Sequence, residues 1–166
     1  MQIKRLCPQD AGAYYTIRLE ALTMNPEAFA ASFLEEKRQS AEKYSERFQG
    51  DDSVTFGAFD ESGLIGTITL IPEKLMKLKH RASIVAMYVK PEKRGNGVAK
   101  QLMGAVIQMA GSLEGIEQIH LTVVSSNSAA IRLYSSFGFK TYGIEKNALK
   151  IDGTYFDEEL MVLFLS

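Results

Sequence analysis

The sequence holds a single cysteine, Cys7, which excludes an intrachain disulfide and any multi-cysteine zinc site. Cys7 reads as an ordinary small apolar residue, with no neighbouring histidine to activate it. Long apolar runs are absent. The longest are six residues, Ile84–Val89 and Leu160–Leu165, where a membrane-spanning helix needs about twenty. The opening Met1-Gln2-Ile3-Lys4-Arg5-Leu6-Cys7 has no apolar stretch of signal-peptide length. Charge of one sign is missing too. With 19 basic and 20 acidic residues and a net charge of −1, nothing argues electrostatically for nucleic acid. His80 and His120 stand too far apart in sequence to read as a metal pair, so no metal site is expected. These absences predict a cytoplasmic protein with neither membrane nor nucleic acid as partner. What is present is ordinary globular composition, 46% hydrophobic and 23% charged over 166 residues. A chain of that length makes roughly one domain, burying about two thirds or more of its unfolded surface.

The charge is unevenly placed. Residues 27–61 carry a net −5, residues 90–100 a net +3, and Asp152, Asp157, Glu158 and Glu159 lie in a stretch without a base. Charge runs of this kind are usually solvated surface. An anionic ligand near 90–100 and a cationic one near the acidic stretches is the functional alternative. Hydrophobic periodicity predicts alternating elements. Residues 2–6 form a short strand, and a helix runs from Pro8 to about Asn25 with Tyr14, Ile17, Ala21 and Leu22 on one face. Residues 27–39 are ambiguous, and a second helix spans 40–49 with Ser40 as its candidate cap. Strands at 53–59 and 64–71 flank the turn Asp60-Glu61-Ser62-Gly63 as a hairpin. A strand at 83–89, a helix at 97–112, a strand at 119–124, a helix at 127–137 and strands at 139–144 and 155–165 follow. This order predicts an α/β fold with a mixed sheet, helices on both faces, and parallel crossovers after residue 83.

Between the strand at 83–89 and the helix at 97–112 lies Lys90-Pro91-Glu92-Lys93-Arg94-Gly95-Asn96-Gly97-Val98-Ala99-Lys100. A helix N-terminus carries unsatisfied N–H groups and partial positive charge. Glycine lets the backbone approach an anion without an intervening Cβ. Together they can cradle a pyrophosphate. A Walker loop would need Lys-Ser/Thr after the second glycine, and Val98-Ala99-Lys100-Gln101 supplies none. A dinucleotide fingerprint would need glycine where Lys100 stands. An acyl-coenzyme A turn and a purely structural turn remain.

A second motif follows roughly thirty residues on, Asn127-Ser128-Ala129-Ala130-Ile131-Arg132-Leu133-Tyr134-Ser135-Ser136-Phe137-Gly138-Phe139. With both motifs in view the sequence resembles the GNAT superfamily of N-acetyltransferases. Arg94-Gly95-Asn96-Gly97-Val98-Ala99 matches the family's Arg/Gln-x-x-Gly-x-Gly/Ala turn. Asn127, Ala130, Leu133, Tyr134, Gly138 and Phe139 match its Asn-x-x-Ala-x-x-Leu-Tyr-x-x-x-Gly-Phe segment. The match is strong over about 83–140. It implies one N-acetyltransferase domain over 1–166, with a mostly antiparallel sheet around a central parallel pair. Acetyl-coenzyme A is the implied co-substrate, and a homodimer is a family-level expectation.

The resemblance implies direct acetyl transfer to a primary amine. The amine must be neutral to attack, and the thioester oxygen needs a donor as it gains charge. By resemblance that donor is a backbone N–H around Met87, Tyr88 and Val89, where a splayed strand also pairs with the pantetheine amides. The cofactor is expected on these three residues, on Arg94, Gly95, Asn96, Gly97, Val98, Ala99 and Lys100, and on Asn127, Ala130 and Tyr134. Tyr134 is the implied general acid for the thiolate, since a phenol titrating near about 10 stays protonated at neutral pH. Tyr134 also reads as core, Asn127 as a helix cap, and Arg94 and Lys100 as surface charge.

Some members that act on protein N-termini carry Leu-Glu-Val before the Asn motif; here the run is Leu121-Thr122-Val123, and Thr122 is no base at neutral pH. Glu20, Glu27, Glu35, Glu36, Asp157, Glu158 or a water chain are the candidates for that role. By resemblance the acceptor site lies between the N-terminal helical segment and the last hairpin. Those are the two acidic regions, expected to attract an ammonium group, with Phe29, Glu35 and Tyr155 as substrate-binding candidates. The expected acceptor is a small-molecule or peptide amine, with a protein N-terminus or lysine as the alternative. A non-catalytic acyl-coenzyme A sensor or interaction module is the reading from another class.

Overall fold

The computed structural model describes all residues, Met1–Ser166. A short strand β1 (Gln2–Arg5) leads through a 3-10 turn at Pro8–Asp10 into helix α1 (Ala11–Met24). Asp10 closes that entry, accepting the Cys7 N–H at 2.9 Å and the Lys4 ammonium at 3.2 Å. Asn25 and Pro26 end α1, and the ambiguous stretch resolves into a 3-10 turn at Pro26–Ala28 and the short helix α2 (Phe33–Lys37). Ser32 and Glu35 form a reciprocal cap at the start of α2. Helix α3 (Ala41–Gln49) follows, with Ser40 at its N-cap position but making no side-chain cap bond.

Strands β2 (Val54–Asp60), β3 (Gly63–Pro72) and β4 (Arg81–Val89) form an antiparallel meander. Helix α4 (Val98–Ser112), strand β5 (Gln118–Val124), helix α5 (Ser128–Ser136) and the long hairpin β6 (Lys140–Ile151) and β7 (Thr154–Phe164) complete the chain. The seven strands form one sheet in the order β1-β2-β3-β4-β5-β7-β6, and β4–β5 is its parallel pair. The crossover through α5 delivers β6 parallel to β5 but one place removed, because β7 lies between them. β6 runs to Ile151, well past the expected end at residue 144. Register shifts at Thr141/Gly143 and Glu145/Leu149 break its alternation, which hides the second half from a period-two reading.

Each sheet face has its own core. On one side Val98, Leu102, Met103 and Val106 of α4 and Tyr134 of α5 pack on Ile68, Ile84, Ile119, Leu121 and Met161. On the other, Tyr14, Ile17 and Leu22 of α1 meet Tyr44 and Phe48 of α3 together with Leu64 and Tyr88. The alternation of side chains in β3 and β4 feeds both layers from one sheet. No helix is long and apolar enough to cross a membrane.

Candidate active site

The parallel pair β4–β5 holds for three residue pairs only, Arg81–Gln118, Ala82–Ile119 and Ser83–His120. Beyond them the strands part, while β4 continues along β3 to Val89 and β5 along β7 to Val124. The cause lies in β4. Thr69 faces Val85 and Thr67 faces Tyr88, so β4 carries one extra residue there. Ala86 takes up the bulge at φ 54°, in the left-handed region that costs an alanine strain.

This geometry separates the three main-chain positions expected to face the cofactor. Lys90 donates to Ile65 O at 2.9 Å. The antiparallel alternation therefore pairs Tyr88 with Thr67 and turns the N–H of Val89 away from β3 into the opening. Met87 lies in the bulge, outside the β3–β4 ladder. The backbone of Tyr88 is thus engaged with β3, and its ring is buried against the α1 side. Its hydroxyl donates to Glu20 Oε1 at 2.9 Å, and burial, then that bond, hold the phenol well above its ordinary range. Glu20 also lies 3.8 Å from Lys90 Nζ.

At the end of β4, Gly95 (φ 78°) and Gly97 (φ 79°) both occupy the left-handed region, and a Cβ on either would meet open space. Gly97 caps α4 without any side-chain bond, and the first helical bond is Gln101 N–H to Gly97 O. The N–H groups of Val98, Ala99 and Lys100 therefore have no helical acceptor. Val98 is buried, Ala99 half-buried and Lys100 exposed. Asn96 folds back on the carbonyls of Lys93 and Arg94. The Arg94 side chain is used elsewhere: Nε donates to Val89 O at 2.9 Å, Nη2 to Asn25 Oδ1 at 2.8 Å, and the guanidinium lies over the Tyr88 ring. It ties β4 to the end of α1, and Lys93 ties the turn to Asp60 at 2.6 Å. A pyrophosphate fits this cradle through backbone N–H groups, with Lys100 as the free cation beside them.

Helix α5 is capped where α4 is not, Asn127 Oδ1 accepting from Ala130 N at 3.2 Å. Two turns on from Asn127, Tyr134 is 7% exposed beside Phe139, and burial alone pushes its phenol up to about 12. It stays a proton donor across the neutral range.

The carboxylates sort themselves. Glu36 is buried, receiving the Tyr44 hydroxyl and standing 3.9 Å from Arg18. Glu35 is the exposed cap of α2. Asp157 accepts the Asn147 N–H at 2.8 Å and Lys146 at 2.9 Å, pinning the hairpin. Glu158 is half-buried opposite Val124 and Glu145, and burial, then the Glu145 charge, raise its carboxyl above the usual range. A groove of about 400 Å3 does lie between the α1–α2 segment and the tip of the last hairpin. Its walls are mostly apolar, with Phe29, Phe33 and Leu34 facing Leu149 and Ile151. Of the acidic residues expected there only Asp152 lines it, beside Lys150, while Glu35 and Asp157 bond local backbone N–H groups. Tyr155, half-exposed beneath Lys150, lies outside the groove lining. The bulge at Ala86, the Arg94–Asn25 tie and the Glu20–Tyr88 bond carry no signal in the sequence, being contacts between distant segments.

The splayed parallel pair, the bulge and the uncapped glycine turn together leave an opening edged by backbone N–H groups without partners in the sheet or helix. The family model for the acetyltransferase (GNAT) family matches residues 17–139, and the chain belongs to that family. It is similar to the probable N-acetyltransferase YjcK of Bacillus subtilis, 24% identical over 132 residues that make up 78% of this chain and 72% of that protein. It is 27% identical to the spermidine N(1)-acetyltransferase of Vibrio cholerae over 106 residues, 64% of this chain and 60% of the relative. The structure of yncA from Salmonella typhimurium, solved with its cofactor acetyl-CoA, superposes with a TM-score of 0.85 over 99% of this chain and 94% of that one, at 18% identity.

Proposed function

We propose that residues 1–166 act as one N-acetyltransferase domain that moves an acetyl group from acetyl-coenzyme A directly to a primary amine of a small molecule or peptide. The observation that carries this reading is the opening between β4 and β5 after three residue pairs, with the uncapped α4 N-terminus at its mouth. The pantetheine arm lies in the opening against the N–H of Val89, the pyrophosphate sits on the N–H groups after Gly97, and the thioester oxygen takes the N–H of Met87. The amine enters from the α1–α2 side. Tyr134 protonates the leaving thiolate. Asn127 and Ala130 hold the start of α5 beside the arm. The apolar groove favours an amine carried on an aliphatic or aromatic group over a polyamine.

Release of free coenzyme A across a panel of amino acids, short peptides, polyamines and aminoglycosides tests the reading. Amine-dependent release, strongest with apolar amino acids or peptides and lowered about tenfold or more in Tyr134→Phe at unchanged acetyl-coenzyme A affinity, is expected. Tight cofactor binding without amine-dependent release from any of these amines overturns it in favour of a binding module. Equal turnover in Tyr134→Phe removes that residue from its role.

A further inference from the structure

At the vertex of the β4–β5 opening lies a cavity of about 170 Å3, lined among others by Ser83, Val85, His120, Thr122 and Tyr142. Ser83 and His120 are the last parallel pair, and Val85 immediately precedes the bulge residue Ala86. The cavity therefore runs from the end of the ladder towards the place where β4 leaves its register. Of its polar side chains, His120 and Tyr142 meet each other. The Tyr142 hydroxyl lies 3.3 Å from His120 Nδ1, and the rings meet edge to face at 5.7 Å. His120 Nε2 lies 2.6 Å from Gln118 Oε1. A carboxamide oxygen only accepts, so Nε2 carries the ring proton and Nδ1 keeps its lone pair for the Tyr142 O–H. Tyr142 reaches this position because it is the extra residue where β6 shifts register between Thr141 and Gly143.

We propose that Tyr142 and His120 form the proton exit for the acceptor amine, an inference that rests on the acetyltransferase reading above. The ammonium gives its first proton to the Tyr142 oxygen while the Tyr142 proton passes to His120 Nδ1. The freed nitrogen lone pair forms the C–N bond at the acetyl carbon. The C–S bond breaks as the adduct collapses, Tyr134 places a proton on sulfur, and the second nitrogen proton replaces it on Tyr134. His120 then returns the first proton to solvent. Overall one ammonium and one thioester give amide, thiol and one released proton.

The charges around His120 suit this task. Burial first, then Arg81 and His80, hold the imidazole below its ordinary 6.5, with Glu73 acting the other way. From β7 the facing residue is the apolar Val162, and beyond it on β6 stand Lys140 and Tyr142. The ring is therefore neutral near pH 7 and free to accept. The Leu121-Thr122-Val123 run carries no carboxylate on β5 itself, and Glu158 of β7, whose side chain hydrogen-bonds Thr122, is the competing base.

The pH profile of kcat/KM, measured beside an NMR titration of His120, tests the inference. The wild type is expected to lose activity on the acid side with the same midpoint as His120. His120→Gln and Tyr142→Phe are expected to lower kcat about tenfold and to flatten or shift that limb, with acetyl-coenzyme A affinity unchanged by calorimetry. Added imidazole is expected to restore part of the rate to His120→Gly. Wild-type kcat and profile in both His120→Gln and Tyr142→Phe would overturn the exit while leaving the acetyltransferase reading intact. A wild type silent towards every amine would overturn that reading, and the exit with it.

Discussion

The carboxylate of Glu35 accepts the Ser32 N–H at 2.8 Å and stays in solvent, while that of Glu36, one residue on, is 4% exposed between Tyr44 and Arg18. A helix places successive side chains about 100° apart, so adjacent residues of α2 face water and core respectively. Removing one partner of a buried, hydrogen-bonded charge network leaves the rest unsatisfied, at a cost of about 3–5 kcal/mol. Losing one side of an exposed cap costs about 1 kcal/mol. Urea unfolding is thus expected to show Glu36→Ala destabilised by about 3 kcal/mol or more and Glu35→Ala by about 1 kcal/mol or less. Equal losses would show that the Arg18–Glu36–Tyr44 contacts contribute little. Burial separates the two acids, and nothing in Phe33-Leu34-Glu35-Glu36-Lys37 indicates it, because the partners come from α1 and α3.

Helices α4 and α5 begin in opposite ways, and the difference has a consequence for ligand affinity. Asn127 satisfies its own helix, so Asn127→Ala is a capping loss. Gly97 leaves α4 open and sits at a φ of 79° that a β-branched residue resists. Gly97→Val must place a side chain on the cradle and also strain the turn. Calorimetry is expected to show acetyl-coenzyme A binding weakened at least tenfold in Gly97→Val, in a protein whose far-ultraviolet dichroism is unchanged. Unaltered affinity would remove the pyrophosphate from this turn. The elements of the candidate site were legible because they are local: a glycine pair after a β-rich run, an asparagine before a helix, Tyr134 two turns on. Periodicity likewise anticipated α1, α3, α4 and the β2–β3 hairpin. It missed what depends on register. The bulge at Ala86 and the position of Tyr142 each arise from one extra residue in a strand, the second half of β6 follows a slip of two between Glu145 and Leu149, and such slips leave no mark on composition. The acidic wall is reduced to Asp152 for a different reason. Charge runs do not tell which carboxylates are consumed by nearby N–H groups.

Across the whole molecule the shifted groups set how stability follows pH. Asp60, Asp157 and Glu35 are held below their ordinary values by the hydrogen bonds of Lys93, of Asn147 with Lys146, and of Ser32. Asp10 is lowered too: burial opposes this, and the Cys7 and Lys4 bonds outweigh it. A lowered carboxyl gives stability that is complete above its unfolded value, 3.8 for Asp and 4.5 for Glu, and is lost as pH falls towards the folded value. His120 is lowered from 6.5, so its neutral form favours the fold, and that contribution disappears as pH falls below 6.5. Glu158 runs the other way. Its raised value gives a contribution complete below 4.5 that is lost as pH rises through the folded value. Four lowered carboxylates and one histidine against a single raised carboxyl predict a urea midpoint that declines gently just below pH 6.5 and steeply below about 4.5. Glu158→Gln removes the opposing group. It is expected to raise the midpoint at pH 7 and to leave it nearly unchanged at pH 4, where the wild-type carboxyl is already protonated. A wild-type midpoint that climbs between pH 6 and pH 4 would show that the raised carboxyl outweighs the rest, and a Glu158→Gln gain of equal size at both pH values would assign its effect to packing rather than to charge.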